Sequence, residues 1–217
     1  MNINTISCMS FGKITLQPGI SIKNQKTSQK EKINFVQYEA GNEEDLKAIK
    51  YKTQAWNAGS NNYPLAKIIY DQLNTSKSTW EEDQPNCYTV YGFENADGDI
   101  LTLGMTDSKG ETKYFGNALD LSLLVVDPQY CYLQENRKYK GLGAMMTAKV
   151  LELAKQAGKD KVILSSCNDN FWKSSGLFQK EEPKTPEFNA AHTVPFFSIS
   201  QNKFDNYINR AYRRQQI

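Results

Sequence analysis

The chain has 217 residues, of which 39% are hydrophobic and 23% are charged, and its formal net charge at pH 7 is +2. This length predicts one domain with short additional segments, and the apolar fraction is sufficient for a packed core. Because no run of 18 uncharged apolar residues occurs, a transmembrane helix is not expected. The first 32 residues lack a basic start followed by an apolar stretch, so a secretory signal is not predicted.

The cysteines and the single histidine argue against a metal centre. Cys8, Cys87, Cys131 and Cys167 are far apart and form no C-x-x-C pair, and His192 is the only histidine. Zinc sites need closely spaced Cys and His ligands, so we predict no metal. Such spacing is typical of reduced thiols, and a cytoplasmic protein is therefore expected. For His192 we expect a structural role near a strand.

Charge is unevenly distributed along the chain. Residues 1–32 carry five Lys against one Glu, residues 203–217 carry one Lys and three Arg against one Asp, and the remainder is acidic. Basic tails on an acidic body can bind nucleic acid. The first tail lacks interleaved aromatic residues, and solvated tails that aid solubility explain the pattern better. Nucleic acid is therefore disfavoured as a partner.

The predicted organisation has three parts. Residues 1–32 form a polar, basic N-terminal arm, whose alternating apolar residues allow an extended segment on the body without firm structure. Residues 33–200 form the folded domain, and residues 201–217 form a basic C-terminal helix.

Hydrophobic periodicity and turn signals place the elements of the domain. Strands are predicted at 33–39, 87–94, 100–105, 119–126, 161–165 and around 194–199, with a further short candidate at 112–115. Helices are predicted at 42–56, 64–73, 141–156, 168–175 and 203–214. Asn42 is the predicted N-cap of the first helix. Two hairpins give antiparallel strands, and the βαβ unit at 119–166 gives a parallel or splayed pair, so the sheet is mixed.

The stretch from Leu119 to Ala144 carries the main functional signal. A nearly unbroken apolar strand ends at Asp127-Pro128, and a polar loop then leads into K-Y-K-G-L-G at the start of an amphipathic helix. The first amides of a helix have no partner within it, and the helix dipole is positive there. These amides predict an anion site, and they belong to Lys140, Gly141, Leu142, Gly143 and Ala144.

Three pieces of the sequence resemble the GNAT superfamily of acyl-CoA-dependent N-acetyltransferases. Leu124-Val125-Val126-Asp127-Pro128 is similar to the end of the family's fourth strand. Lys138-Tyr139-Lys140-Gly141-Leu142-Gly143 resembles its R/Q-x-x-G-x-G/A pyrophosphate loop. The segment Asn168 to Leu177 resembles its N-x-x-x-F-Y-x-x-x-G-F motif. The order of the elements agrees, so the resemblance spans residues 33–200.

The resemblance implies a fold of the α/β (α+β) class, with a GNAT-like mixed, mostly antiparallel twisted sheet and helices on both faces. It implies acetyl-CoA as donor and co-substrate, and an amine of a small molecule or a protein as acceptor. No membrane partner is expected, and the chain is expected to be a monomer or a homodimer. The residues that the resemblance places at the donor are Leu124, Val125, Val126, Lys138, Tyr139, Lys140, Gly141, Leu142, Gly143, Ala144, Asn168 and Trp172.

Attack on a thioester requires a neutral amine, so a base must remove its proton. The candidate base is Asp120, which interrupts the apolar strand close to where protein-acetylating members of the family carry a catalytic Glu. The strand period of two places its side chain on one face with Ser122 and Leu124. Apolar surroundings favour the proton-holding form of a carboxyl group, which suits a base. The alternatives are a structural Asp at the strand start, or bases on loops at Glu81, Glu82 and Glu135.

The sequence departs from the family pattern at three points. Trp172 stands where the family has the Tyr that protonates the leaving thiolate, and an indole N–H is not a usable acid. Lys138 replaces the Arg or Gln that opens the loop, and Gln129 to Asn136 lengthen the loop. The alternative proton donors are Tyr130, Tyr132 and Tyr139. These departures support a second hypothesis, a catalytically weak GNAT-like module that binds acyl-CoA or a protein partner.

Overall fold

The computed structural model describes residues 12–39, 42–57, 68–71, 88–107, 115–131, 134–165, 169–181 and 195–215. The strands are β1 (Ile14–Lys23), β2 (Lys30–Tyr38), β3 (Tyr88–Glu94), β4 (Ile100–Asp107), β5 (Ala118–Val126), β6 (Lys161–Ser165), β7 (Gln179–Glu181) and β8 (Phe196–Ser200). They form one sheet in the order β1-β2-β3-β4-β5-β6-β8-β7. Every neighbouring pair is antiparallel except β5 and β6, which are parallel. The predicted mixed, mostly antiparallel sheet is confirmed.

Helices cover both faces of the sheet, as predicted. They are α1 (Glu43–Asn57), α2 (Leu142–Gln156), α3 (Asp169–Lys173) and α4 (Phe204–Arg213), and residues 68–71 are also helical. One face is covered by α1, whose Leu46 and Ile49 pack on Leu103 and other strand residues. The other face is covered by α2 and α4, which share a second core cluster. Within the described residues, no helix combines the length and the apolar character that a membrane crossing requires.

Local signals in the sequence account for most of these elements. The Asn42 side chain accepts hydrogen bonds from the amides of Glu44 (3.0 Å) and Asp45 (3.1 Å), which confirms it as the N-cap of α1. The predicted C-terminal helix is present as α4. Predictions that involve His192, Cys8, Cys87 and Cys167, and most of the helix at 64–73, lie outside the described residues.

Strand β1 is the main element that the sequence analysis does not predict as regular structure. It pairs with β2 from Ile14 to Lys23 and forms one edge of the sheet. Ile20 and Ile22 are buried, whereas Ile14 and Leu16 are exposed. The pairing register shifts on both sides of Gln17, next to Pro18-Gly19, so the strand pattern is interrupted in the sequence. The short strand β7 also escapes prediction, because three residues carry too little periodicity.

A bulge at Ser122 reverses the orientation of the strand beyond it. Leu121 pairs with Thr106 and Leu123 pairs with Met105, so Ser122 is an extra residue in β5. Leu123 therefore lies on the α1 face with Asp120, and Leu124 packs toward α2. The prediction that Asp120 and Leu124 share one face was wrong, because the extra residue shifts the alternation of side chains.

Candidate functional site

A wedge-shaped opening separates β5 from β6. The two strands pair only as far as Asp120↔Ile163, although β5 continues to Val126 and β6 to Ser165. Residues 118–121 of β5 are buried, and residues 122–124 are half-buried. For a strand inside an eight-stranded sheet, such exposure requires a gap on one side. The divergence of β6 supplies that gap. Of the parallel or splayed pair predicted for this βαβ unit, the structure shows parallel pairing as far as Asp120 and divergence beyond it.

Alternating hydrogen bonds determine which backbone groups of β5 face the opening. The amide of Asp127 donates to the carbonyl of Leu101 on β4 (3.0 Å). The carbonyl of Val125 accepts from the buried hydroxyl of Thr102, also on β4 (2.6 Å). Because the direction alternates, the peptide groups of Leu124 and Val126 point toward the opening. Of the three strand residues predicted at the donor, Val125 thus directs its backbone to β4.

The start of α2 lies at the wide end of this opening. Gly141 precedes the helix with φ 78° and ψ 12°, in the left-handed region that favours glycine, and makes no side-chain cap. The amide of Met145 donates to the Gly141 carbonyl (2.9 Å) and closes the first turn. The amides of Leu142, Gly143 and Ala144 precede that closure and have no acceptor within the helix. Together with the helix dipole, they form an arrangement that binds anions.

Gly143 is the point where α2, β5 and α3 converge. A Cβ atom there would lie 3.5 Å from Val126 Cγ2, 3.6 Å from Phe171 Cζ and 3.8 Å from Leu124 Cδ2. Phe171 therefore borders the wide end of the opening, a position that the sequence analysis does not assign to it. The third motif contains two adjacent aromatic residues, Phe171 and Trp172. Which of their side chains faces the cleft depends on the orientation of α3, and the sequence does not reveal that orientation.

Lys138 and Tyr139 are engaged by Glu31 of β2 rather than turned toward the opening. The Lys138 ammonium lies 2.9 Å from a Glu31 carboxylate oxygen, to which the buried Tyr139 hydroxyl also donates. The pKa of Glu31 is lowered to about 2, mainly by the hydrogen bond from Tyr139 and secondly by the hydrogen bond from Lys138. The pKa of Lys138 is raised, mainly by its hydrogen bond with Tyr139 and secondly by its hydrogen bond with Glu31. Lys138 thus remains charged but is ion-paired, whereas the Lys140 side chain is exposed.

The turn between β1 and β2 holds the backbone of the same loop. The amide of Gln25 donates to the carbonyl of Lys138 (2.7 Å), and Asn24 forms an isolated antiparallel bridge with Tyr139. The Asn24 side chain also donates to Glu31 (2.6 Å). Residues of the predicted N-terminal arm therefore shape the segment from Lys138 to Gly143, which we call the glycine loop, although the two segments are more than a hundred positions apart in the sequence.

The lengthened loop after β5 is anchored to α1. The carboxylate of Asp127 is buried, accepts from the Gln129 amide (3.1 Å) and lies 3.2 Å from the Lys52 ammonium of α1. The Tyr130 ring packs against Tyr139 with a centroid distance of 5.0 Å. The pKa of Tyr130 is raised to about 12, mainly by burial and secondly by the charge of Asp127. Tyr132, the third candidate proton donor, lies outside the described residues, as do Glu81 and Glu82, whereas Glu135 is exposed in a turn.

Asp120 lies at the apex of the opening. It is the last residue of β5 that pairs with β6, and 8% of its surface is exposed. The Ser122 hydroxyl donates to its carboxylate (2.8 Å). Directly opposite on β4 lies the buried Asp107. A buried carboxylate at the closed end of a cleft, oriented by a neighbouring hydroxyl, is suitably placed to accept a proton.

Trp172 lies in the core and not at the opening. Its exposed fraction is 6%, and it packs against Phe171 edge-on (4.6 Å between centroids) and against Phe178 (5.0 Å). The expectation that Trp172 contacts the donor stays a prediction, and the burial of its side chain leaves little surface for a donor to contact. Asn168 is outside the described residues. Among the residues that are described, no group of three or more His, Cys, Asp or Glu side chains is placed to hold a metal ion.

Comparison with known proteins identifies the fold. No protein-family model matches the sequence, and no curated protein is significantly similar to it. A crystal structure of a protein assigned as an acetyltransferase, from Exiguobacterium sp. 255-15, has a TM-score of 0.52 at 12% identity, covering 80% of this chain and 97% of that one. A GNAT-family acetyltransferase from Staphylococcus aureus Mu50 has a TM-score of 0.48 at 14% identity, covering 78% and 99%. A chimera of the spermidine N-acetyltransferase SpeG from Vibrio cholerae and hSSAT has a TM-score of 0.49 at 16% identity, covering 80% and 98%.

The similarity at these identities concerns the fold alone, and it rests on the Exiguobacterium structure together with the strand order of the sheet. The chain shares the fold of that structure. The mixed, mostly antiparallel fold that the resemblance implies is confirmed, and the roles of the three motifs stay predictions.

Proposed function

We propose that the protein is an N-acetyltransferase that transfers an acetyl group from acetyl-CoA to an amine of a small molecule or a protein. The observation that carries the proposal is the opening between β5 and β6. It has the buried carboxylate of Asp120 at its closed end and the first amides of α2 at its wide end. A base and an anion site at the two ends of one cleft are what an acyl-CoA-dependent transfer to an amine requires.

The dimensions of the opening support acetyl-CoA as the donor. From Asp120 to Val126 the strand rises by roughly 20 Å, at about 3.3 Å per residue, which is comparable with an extended pantetheine arm. The amides of Leu142, Gly143 and Ala144 would hold the diphosphate. The peptide groups of Leu124 and Val126 would pair with the pantetheine amides as an added strand.

Bound acetyl-CoA supplies an activated acyl group in its thioester. Asp120 would take the proton of the incoming ammonium, directly or through a water molecule, so that the amine becomes a nucleophile. Ser122 would orient the carboxylate through its hydrogen bond. Residues 122–124 are half-buried, so this part of the strand is accessible from the opening.

A second candidate function is a catalytically weak GNAT-like module that binds acyl-CoA or a protein partner. The observation that favours it is the burial of Trp172, at the position where the family resemblance expects the acidic Tyr. Two of the alternative hydroxyls are also poorly suited, because Tyr139 donates to Glu31 and the pKa of Tyr130 is raised to about 12.

Calorimetric titration with acetyl-CoA, followed by measurement of CoA thiol release with a panel of amines, separates these functions. For the enzyme we expect Asp120→Asn to lower turnover by roughly 100-fold or more, the usual contribution of a general base. Its acetyl-CoA affinity should stay within about two-fold of wild type, because a neutral isostere leaves the anion site intact. Asp205→Asn, an exposed residue of α4 paired with Lys155, is the matched control. Binding without thiol release would favour the module, and absence of binding would contradict the donor site.

A further inference from the structure

The carboxamide of Gln215 joins three distant segments at the glycine loop. Gln215 follows α4 and is 5% exposed. Its Nε2 donates to the carbonyl of Lys140 (2.9 Å), and its Oε1 accepts from the amide of Lys23 on β1 (3.4 Å). A Cβ atom on Gly141 would lie 2.8 Å from the same Nε2. The side chain is therefore packed tightly against the peptide bond that joins Lys140 to Gly141.

The direction of that peptide bond matters for anion binding. In a trans peptide the carbonyl and the amide hydrogen point in opposite directions. Because Gln215 holds the Lys140 carbonyl on its own side, the Gly141 amide points away from Gln215. Gly141 is left-handed and Leu142 is right-handed helical. When one residue has the left-handed backbone conformation and the next has the right-handed one, their amides point into the same concavity, and such a concavity binds anions.

We infer that Gln215 is a positioning residue of the donor site, which sets the Lys140–Gly141 peptide so that the Gly141 amide joins those of Leu142 and Gly143 at the diphosphate. The inference rests on the proposed function, because it assumes that acetyl-CoA is the anion. Gln25 and Asn24 hold the neighbouring residues Lys138 and Tyr139. The Gln215 carboxamide is the group that engages the carbonyl immediately before Gly141.

The test compares ligands with and without a diphosphate. Gln215→Leu removes both hydrogen bonds at similar volume, and Gln215→Glu keeps the shape but sets a carboxylate against the Lys140 carbonyl. We expect the Kd for acetyl-CoA to rise roughly five-fold in Gln215→Leu, the loss that corresponds to one hydrogen bond. A larger rise, about ten-fold or more, is expected in Gln215→Glu because its charge also opposes the diphosphate. The affinity for S-acetylpantetheine, which has no diphosphate, should stay unchanged in both.

Gln201→Leu is the matched control, since Gln201 is an exposed glutamine at the start of a short helical turn before α4. Circular dichroism and thermal unfolding establish that each variant is folded. If Gln215→Leu does not fold, an unchanged acetyl-CoA affinity in folded Gln215→Glu alone overturns the inference. An unchanged acetyl-CoA affinity in the folded variants would overturn the positioning role and leave the donor site intact. An equal loss for S-acetylpantetheine would also overturn it, because it would reveal a general structural effect. Failure of the wild-type protein to bind acetyl-CoA would instead contradict the proposed function.

Discussion

Replacing Gly141 by alanine tests the backbone geometry on which the anion site depends. Gly141 has a φ of 78°, and an L-residue in this region costs roughly 1–2 kcal/mol. The new Cβ would also lie 2.8 Å from Gln215 Nε2, so the carboxamide must move and lose its bond to Lys140, which costs about 1 kcal/mol. Reduced entropy of the unfolded chain offsets about 1 kcal/mol. We therefore expect a net destabilisation of roughly 1–2 kcal/mol.

The assay is urea or thermal unfolding of Gly141→Ala, with a lowering of Tm by about 2–8 °C for a domain of this size. Two other glycines serve as controls. Gly158 has a φ of 63° and an added Cβ would meet nothing within 4 Å, so Gly158→Ala reports the backbone strain alone. Gly143 is helical and its Cβ would make ordinary contacts, so Gly143→Ala should be neutral or stabilising by up to about 1 kcal/mol.

The order of stabilities decides the matter. Gly141→Ala should be the least stable of the three variants, and Gly143→Ala the most stable. If Gly141→Ala were as stable as wild type, the left-handed conformation before α2 and the contact with Gln215 would both be refuted. If it only matched Gly158→Ala, the conformation would stand and the contact with Gln215 would be refuted.

Two further predictions concern the surroundings of the site. Because its pKa is lowered from 4.5 to about 2, Glu31 contributes stability that is present above about pH 4.5 and is lost as the pH falls toward 2. Glu31→Gln should cost roughly 1 kcal/mol at pH 7, after allowance for solvent screening, and should approach wild type near pH 2. A constant difference across this range in acid-unfolding curves would contradict the contacts of the Glu31 carboxylate with Tyr139 and Lys138. Thr102→Val removes the buried bond to the Val125 carbonyl and should cost about 1 kcal/mol in urea unfolding. It should leave the acetyl-CoA affinity unchanged, and a changed affinity would contradict the orientation of Val125 toward β4.

The sequence predicts β5, α2 and the glycine turn between them because each signal is local. The apolar run of β5, the 3.6-residue period of α2 and the glycines before it are properties of neighbouring residues. Their order also carries the family resemblance. A parallel or splayed pair follows from the βαβ unit, but the residue at which pairing ends, Asp120, depends on the three-dimensional divergence of β6.

Long-range contacts determine the features of the site that the sequence does not reveal. The bulge at Ser122 depends on the register with β4, which a single strand does not reveal. The orientation of α3 buries Trp172 and brings Phe171 to the cleft, although the two residues are adjacent. Lys138 has the sequence pattern of a diphosphate ligand, but Glu31, more than a hundred positions earlier in the sequence, pairs with it.

Long-range contacts also explain why the sequence does not assign the two terminal segments to the site. Pro18-Gly19 interrupts the pattern of β1, so the first segment has the composition of a flexible arm. Its turn nevertheless holds Lys138 and Tyr139, and Gln215 from the last segment holds Lys140. These contacts place both ends of the described chain at the glycine loop, which no local pattern indicates.

The most direct measurement is an amide NMR titration of the isotope-labelled protein with acetyl-CoA. If the opening between β5 and β6 binds the donor, the largest saturable shifts will fall on the amides of Leu142, Gly143 and Ala144 and on Leu124 and Val126. S-acetylpantetheine should shift Leu124 and Val126 while leaving the start of α2 unchanged. Saturable binding of acetyl-CoA with shifts confined to other parts of the chain would contradict the assignment of this cleft as the donor site.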